Sequence, residues 1–527
     1  MPRSPLRTAL FALLASLLIG TASAQQDGGV LRVALPAQPE TFNPVLLGEL
    51  SSSIVYNALF APLVGQDPET FDLDPYLADR WEANEAVDAW TFYLNEDATW
   101  HDGTDFTAAD VVFTFERILD PEENSPGLSD VDHIERVEAV DENTVTFHLS
   151  EVDGMFPDRL SLGGLQPLPK HVLEGFDNLS DAVEFNTEMP IGSGPFKMKG
   201  AETGSYVELE RFDDFFRGRP YLDGVLFSIV PDMNVRVARL RAGDIDWTDI
   251  EPTHTRALDA DPNVEVIPVS SSRYALLDFA FKGDYAWLFE DPRVRIAMTH
   301  AVPQAQILET VGLGRGWLME GRVIPEVLSW IPDPGFEPYG FDMERARELL
   351  AEAGWTPGDD GILVNEDGER FEFYILVDRG NVQREQIGLI LQDQFQQLGM
   401  DVEYIAAERT GRWIEESRAH TFATRMAEFP LPNVDWFRRL FTTDGPNIRG
   451  YSNPEIDALV DRATKISDRE EQGRLYAEAQ RLHHEDPSII PFFLREQLVA
   501  ARATVQDLPA GELKLTTPYL YRVWLDR

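Results

Sequence analysis

No cysteine occurs among the 527 residues, so the chain has no disulfide, no thiolate metal site and no Cys nucleophile. Whatever it folds into is held by buried apolar surface and hydrogen bonds. That constraint is sharper for an exported protein, and the N-terminus reads as an export signal. Arg3 and Arg7 come first, Ala9 to Ile19 is apolar, and Ala22-Ser23-Ala24 has the A-x-A form of a cleavage site, which predicts a signal peptide over residues 1–24. An acyl anchor needs a Cys at the cleavage point, and none is present. No later stretch approaches the roughly 20 apolar residues of a membrane helix. The mature protein is expected to diffuse freely in the periplasm, with no lipid anchor and no direct membrane insertion.

The length predicts two to four packing units of about 100–200 residues each. Hydrophobic residues at 43% and aromatics at 11% supply a large core and argue against disorder. A formal charge of −46 excludes nucleic acid as a partner, because phosphate binding needs a basic surface. The acidic excess reads as solvation rather than as a ligand site.

Along the chain, Trp90 to Leu94 alternates as a strand does, the turn His101-Asp102-Gly103 follows, and Thr107-Ala-Ala-Asp110 has the form of a helix capping box. The helix it opens carries Val112, Phe115 and Leu119 and stops at Asp120-Pro121. Further strands are predicted from Val30 to Leu35, Thr144 to Leu149, Tyr206 to Arg211 and Val225 to Val230, with a helix from Ser53 to Leu63. In the C-terminal half, helices from Met343 to Ala353, Val382 to Leu398 and Arg469 to His484 alternate with strands from Val402 to Ile405 and Ile489 to Leu494. Alternation without an internal repeat points to an α/β architecture.

Tests for catalysis come out negative. No G-x-S-x-G elbow is present, and Gly192-Ser193-Gly194 lacks the outer glycines at that spacing. His483-His484-Glu485-Asp486 is not a zinc-protease motif, because position 488 is Ser where the second His belongs. Gly312-Leu-Gly314-Arg-Gly316 lacks the third glycine of a dinucleotide loop. No catalytic residue, cofactor or metal is expected.

The ordered blocks resemble the bacterial extracellular solute-binding proteins of family 5, the oligopeptide, dipeptide and nickel receptors of ABC importers. The resemblance is densest at Pro75-Tyr-Leu-Ala-Asp-Arg-Trp81, Trp90-Thr-Phe-Tyr-Leu94, Trp100-His-Asp-Gly103 and Phe106-Thr-Ala-Ala-Asp110. It continues through Pro167-Leu-Pro-Lys170, Gly192-Ser-Gly-Pro195, Ala242-Gly-Asp-Ile-Asp246 and Asp291-Pro-Arg-Val-Arg295 to Tyr451-Ser-Asn-Pro454. The fold it implies is α/β: a two-lobed periplasmic binding protein of type II, similar to cluster C, with an extra α/β domain inserted near the N-terminus. The expected division is 25–64, 185–274 and 498–527 in lobe I, 65–184 in the inserted domain and 275–497 in lobe II. Two crossing segments would join the lobes, which close on ligand by hinge bending. The signature over residues 90–113 is expected to be structural.

In peptide-binding relatives, the resemblance implies, an acidic side chain of the second lobe takes the ligand's ammonium, because a buried charge without a counter-ion is costly. The matching stretch runs from Arg425 to Phe437, and it departs from the D-Y-P-D-P pattern that relatives tend to carry. Glu428 and Asp435 are competing candidates for the acid. Arg425 is a candidate partner for a ligand carboxylate. Trp413, Trp436 and Phe437 are candidates for stacking on sugar rings or apolar groups, with core packing at least as good an account of each. The expected function is that of a monomeric periplasmic receptor, not an enzyme, that captures a peptide or peptide-like ligand and delivers it to an inner-membrane ABC permease. An oligosaccharide or a metal chelate is the alternative cargo, favoured if the cleft is aromatic and lacks a buried carboxylate. A secreted hydrolase is the alternative class.

Overall fold

The computed structural model describes residues 25–46, 49–161, 163–269, 271–431, 433–443 and 450–527; the signal peptide expected over residues 1–24 lies outside them. Among the described residues three large sheets carry the architecture. The first has seven strands in the spatial order Val264–Val269, Gln497–Arg502, Trp247–Ile250, Val30–Leu35, Gly224–Ile229, Tyr206–Arg211, Phe196–Glu202. Its central strand Val30–Leu35 buries Leu31, Val33 and Leu35 completely and runs parallel to Gly224–Ile229 and Trp247–Ile250. The second has six strands, in the order Gly316–Leu318, Ile489–Arg495, Arg273–Phe279, Thr424–Pro430, Glu372–Asp378, Asp401–Ala407. The third is antiparallel, in the order Ala78–Ala83, Ala89–Leu94, Thr144–Leu149, Ile134–Asp141. The helix Ala108–Leu119 packs on it through Phe115, whose ring lies 4.8 Å from that of Phe147.

A continuous apolar core joins the first and third sheets, through Leu31, Val33 and Phe227 on one side and Phe92, Phe115 and Phe147 on the other. These two sheets therefore pack as one body. The second sheet has separate cores on its two faces, one around Leu277, Phe279, Ile375 and Phe395, the other around Tyr274, Leu276, Tyr476 and Ile489. Burial on both faces removes the alternation that marks a half-exposed strand. For that reason periodicity does not reveal the strands Arg273–Phe279, Glu372–Asp378 and Thr424–Pro430.

The chain crosses between the two bodies in two adjacent strands. Val264–Val269 continues through Ser271 and Ser272 into Arg273–Phe279, and Ile489–Arg495 continues through Glu496 into Gln497–Arg502. The crossings are neighbours in both sheets, since Val269 faces Gln497 and Tyr274 faces Leu494. Ser271 and Ser272 are buried. Arg315 steadies the junction by reaching Glu496 at 3.4 Å and Asp259 at 3.8 Å. Two short links of this kind are a hinge.

The signature blocks explain each other structurally. His101 Nδ1 accepts from the Gly192 amide at 3.0 Å, so its Nε2 carries the proton and donates to the Gly194 carbonyl at 3.1 Å. Burial pushes this imidazole down to about 4, which keeps it neutral. Gly192 passes so close to helix Leu50–Leu59 that a Cβ there would overlap the Leu59 carbonyl. Asp110 accepts from the Thr107 amide at 2.9 Å, as the capping pattern predicts, and also from the Lys170 amide at 3.0 Å. His101 and Asp110 thus tie the motif at 100–110 to the segments at 167–170 and 192–195.

Candidate ligand-binding cleft

Strand polarity places the site. In the second sheet Glu372–Asp378, Asp401–Ala407 and Thr424–Pro430 run parallel, and Pro430 is paired with Arg273, the first residue of a hinge strand. Their carboxyl ends therefore point toward the crossings and the other lobe. In the first sheet Ile250 is paired with Leu498, next to the other crossing, and Trp247–Ile250 is parallel to Val30–Leu35, so these carboxyl ends also face the gap. Ligands of open α/β sheets bind beyond the carboxyl ends of the strands, and here two sets of such ends oppose one another.

On the lobe II side a charged cluster occupies this edge. Asp378 ends its strand, is 4% exposed, and accepts from Arg384 Nη1 at 2.9 Å. Arg384 lies in the first turn of helix Val382–Gln397, whose cap Asn381 accepts from the Arg384 amide at 3.1 Å. Its other terminal nitrogen stands 3.6 Å from Glu428 Oε2. Arg409 approaches Asp378 at 3.9 Å from the solvent side. Asp378 and Arg384 escaped the sequence reading because their strand did. The signal was present as the apolar run Phe373 to Val377, then Asp378, then Arg-Gly-Asn opening a capped helix, the strand-turn-helix order that sets a strand end beside a helix start.

The other candidates lie in different surroundings. Asp435 is 5% exposed and is held by Arg159 at 3.0 Å, Arg438 at 3.1 Å and Arg439 at 2.6 Å. Burial alone would raise this carboxyl, but the three guanidiniums outweigh it and hold it at about 2. Arg159 comes from the short helix Phe156–Leu160 of the inserted region, so Asp435 bridges the two bodies. The same seam contains Arg469 bound to both oxygens of Asp158 at 2.8 Å, Arg439 bound to Asp130 at 3.1 Å, and the Gly154 amide bound to the Thr464 carbonyl at 2.6 Å.

Arg425 is not a surface charge. It is 1% exposed and bonds Asp278 at 2.7 Å from the neighbouring strand. Trp413 is buried on the same lobe, 5.1 Å from the Arg425 guanidinium, with its Nε1 lacking a hydrogen-bond partner. Phe437 is fully buried against Phe441 and Tyr476, and Trp436 is half-buried beneath Arg439. His484 is packed between the rings of Phe336 and Tyr339 at 3.8 and 4.0 Å, and burial lowers it to about 4. The His483-His484 pair is thus a helix-end packing element.

Two α/β bodies on a two-strand hinge, with opposed strand ends across the gap, define a clamshell solute-binding protein. The model of the bacterial extracellular solute-binding proteins, family 5 Middle, matches residues 72–447, and the chain belongs to that family. It is 31% identical over 481 residues to the oligopeptide-binding protein AppA of Bacillus subtilis, covering 88% of this chain and 86% of that one. The structure of that AppA in complex with a nonapeptide overlaps with a TM-score of 0.70 at 28% identity, over 95% of this chain and all of the other. The unliganded open form of MppA, a periplasmic murein tripeptide binding protein, overlaps with a TM-score of 0.81 at 20% identity, over 95% of this chain and 98% of the other. No described helix is long and apolar enough to cross a membrane.

Proposed function

We propose that this chain is an exported receptor that encloses a peptide or peptide-like solute between its lobes and releases it unchanged to an ABC-type permease of the inner membrane. The observation that carries the reading is the opposition of two sets of parallel strand ends across a two-strand hinge, with a buried carboxylate-guanidinium cluster on the lobe II side. Opening and closing changes how much of that cluster meets water, and ligand shifts the balance toward closure. A buried carboxylate at the cleft edge, Asp378, with the half-buried Glu428 beside it, weighs against an oligosaccharide or metal chelate as cargo, which would favour an aromatic, acid-free pocket. The expected export signal supports a periplasmic receptor.

Native mass spectrometry of the purified protein, followed by small-angle scattering with and without the species retained, tests this. Peptides retained at one per chain, released intact and accompanied by a smaller radius of gyration, are the expected result. Sugars or a chelate in their place, a cargo returned cleaved, or no compaction on binding would end the reading.

A further inference from the structure

Lobe II meets the other body a second time at the seam that holds Asp435. There the loop at Gly154 enters the corner between helices Pro454–Thr464 and Arg469–Glu485. Its amide donates to the Thr464 carbonyl at 2.6 Å, and its carbonyl accepts at 3.1 Å from Gln472, which is 1% exposed. A Cβ at position 154 would fall on the Ile466 carbonyl, so two backbones touch with no side chain between them. Met155 and Phe71, also of the first body, are buried in the core that holds Tyr476 and Ile489, and Arg469 takes both oxygens of Asp158. Backbone bonds, shared core and paired ions make this a joint packed like a protein interior. Its position follows from chain lengths. Helix Arg469–Glu485 has 17 residues, about 25 Å, and strand Ile489–Arg495 has 7, about 24 Å. The two share one core and are joined by residues 486–488, so the helix runs back along the strand and brings Arg469 about level with the crossing at Glu496. The seam therefore lies at the hinge edge of lobe II, one packing layer off one face of its sheet. Asp401–Ala407 lies in the sheet itself, three places from the crossing strand Arg273–Phe279, or about 14 Å.

We propose that the seam is a second bearing of the hinge: lobe II swings about the line that joins the two crossings to the Gly154 joint, and the inserted domain thereby sets the axis of closure. This rests on the clamshell reading above and adds the path of its motion. A turn about any other line would pull Gly154 away from Thr464 and wet Met155 and Phe71. A turn about this one leaves the joint in place and puts the displacement at the far strands, about 2.5 Å at Asp401–Ala407 for every ten degrees or so.

The chain has no cysteine, so paired spin labels can be attached without background. One pair, Glu151→Cys with Asp461→Cys, uses exposed positions that line a cavity at the seam together with Arg159 and Thr464. The other, Glu40→Cys with Glu408→Cys, spans the gap from beyond the end of Val30–Leu35 to the end of Asp401–Ala407. Distance distributions are read by pulsed electron resonance in the purified protein, alone and with a peptide digest of a denatured protein. The seam pair is expected to hold one narrow distance throughout. The gap pair is expected to spread over several ångströms, or to shorten by that much once the digest is added. A seam pair that spreads or shifts overturns the bearing and leaves the receptor reading standing. Narrow, unshifted distances for both pairs end the receptor reading and the bearing with it. A gap pair that spreads but does not answer the digest, beside a fixed seam pair, keeps the bearing and counts against a peptide as cargo. Gly154→Ala, checked for folding by thermal unfolding, should widen both distributions together, and an unchanged seam distance in it overturns the bearing. Should Gly154→Ala fail to fold, the two label pairs decide.

Discussion

Replacing Asp435 by asparagine should loosen the seam between lobe II and the inserted region, by an amount that depends on pH in a predictable way. The carboxyl is held at about 2, against an ordinary 3.8, by Arg159, Arg438 and Arg439. A difference of nearly two pH units at 1.36 kcal/mol each is worth about 2.5 kcal/mol. Because the folded value is depressed, that stabilisation is fully present above pH ~4 and is lost as the pH falls through about 2. The asparagine variant should therefore unfold more easily than wild type at pH 7, by roughly 2 °C for a chain of this size. The gap between the two proteins should narrow below pH ~4. Calorimetric unfolding of both proteins from pH 7 to pH 2.5, with hydrogen exchange read at residues 153–160 and 435–441, measures the global and local terms separately. A gap that stays constant with pH, or no gap at pH 7 and no faster exchange in those segments, would refute the charge argument.

Three further outcomes follow from geometry. Gly192→Ala drives a Cβ into the Leu59 carbonyl and should cost about 1–3 kcal/mol, read by urea unfolding; no loss would mean the loop relaxes freely. His484 is held neutral at about 4, so wild type should lose stability as the pH falls from about 6.5 to 4. His484→Phe keeps the stack on Phe336 and Tyr339 and should shrink that slope to the part His101 contributes, and an identical slope in the variant would remove His484 as a cause. Arg425→Met or Asp278→Leu alone breaks a buried ion pair and should cost about 3–5 kcal/mol, while the two together should recover most of it. Additive losses in that double-mutant cycle would show the pair to be uncoupled.

The elements legible in sequence were those whose cause is local. Ala89–Leu94 alternates because one face is wet, and Ala108–Leu119 starts where Asp110 reaches back to the Thr107 amide. Glu372–Asp378 is a run of buried positions with no period to read. The stretch from Arg425 to Phe437 could be picked out as the family's second-lobe segment, yet the surroundings of its acids could not be read from it. Arg159 lies 276 residues from Asp435, and Arg384 lies well upstream of Glu428 on a different element. Trp413 and Phe437 read as stacking candidates or core with equal ease, because an aromatic side chain carries no sign of which side of a sheet it faces.

What distinguishes the acids of this molecule from one another is the local ratio of charges. With 91 acidic and 45 basic residues, an acid chosen at random is outnumbered by other acids, so acidity by itself marks nothing. Around Asp435 the ratio is inverted, three guanidiniums meeting one carboxylate across the seam, and with Asp130 and Asp153 bonded to Arg439 and Arg159 the charges there are balanced without help from outside. Around Arg384 one buried guanidinium meets Asp378 and the half-buried Glu428, with the exposed Arg409 3.9 Å from Asp378 as the next cation, so the two signs there are close to even.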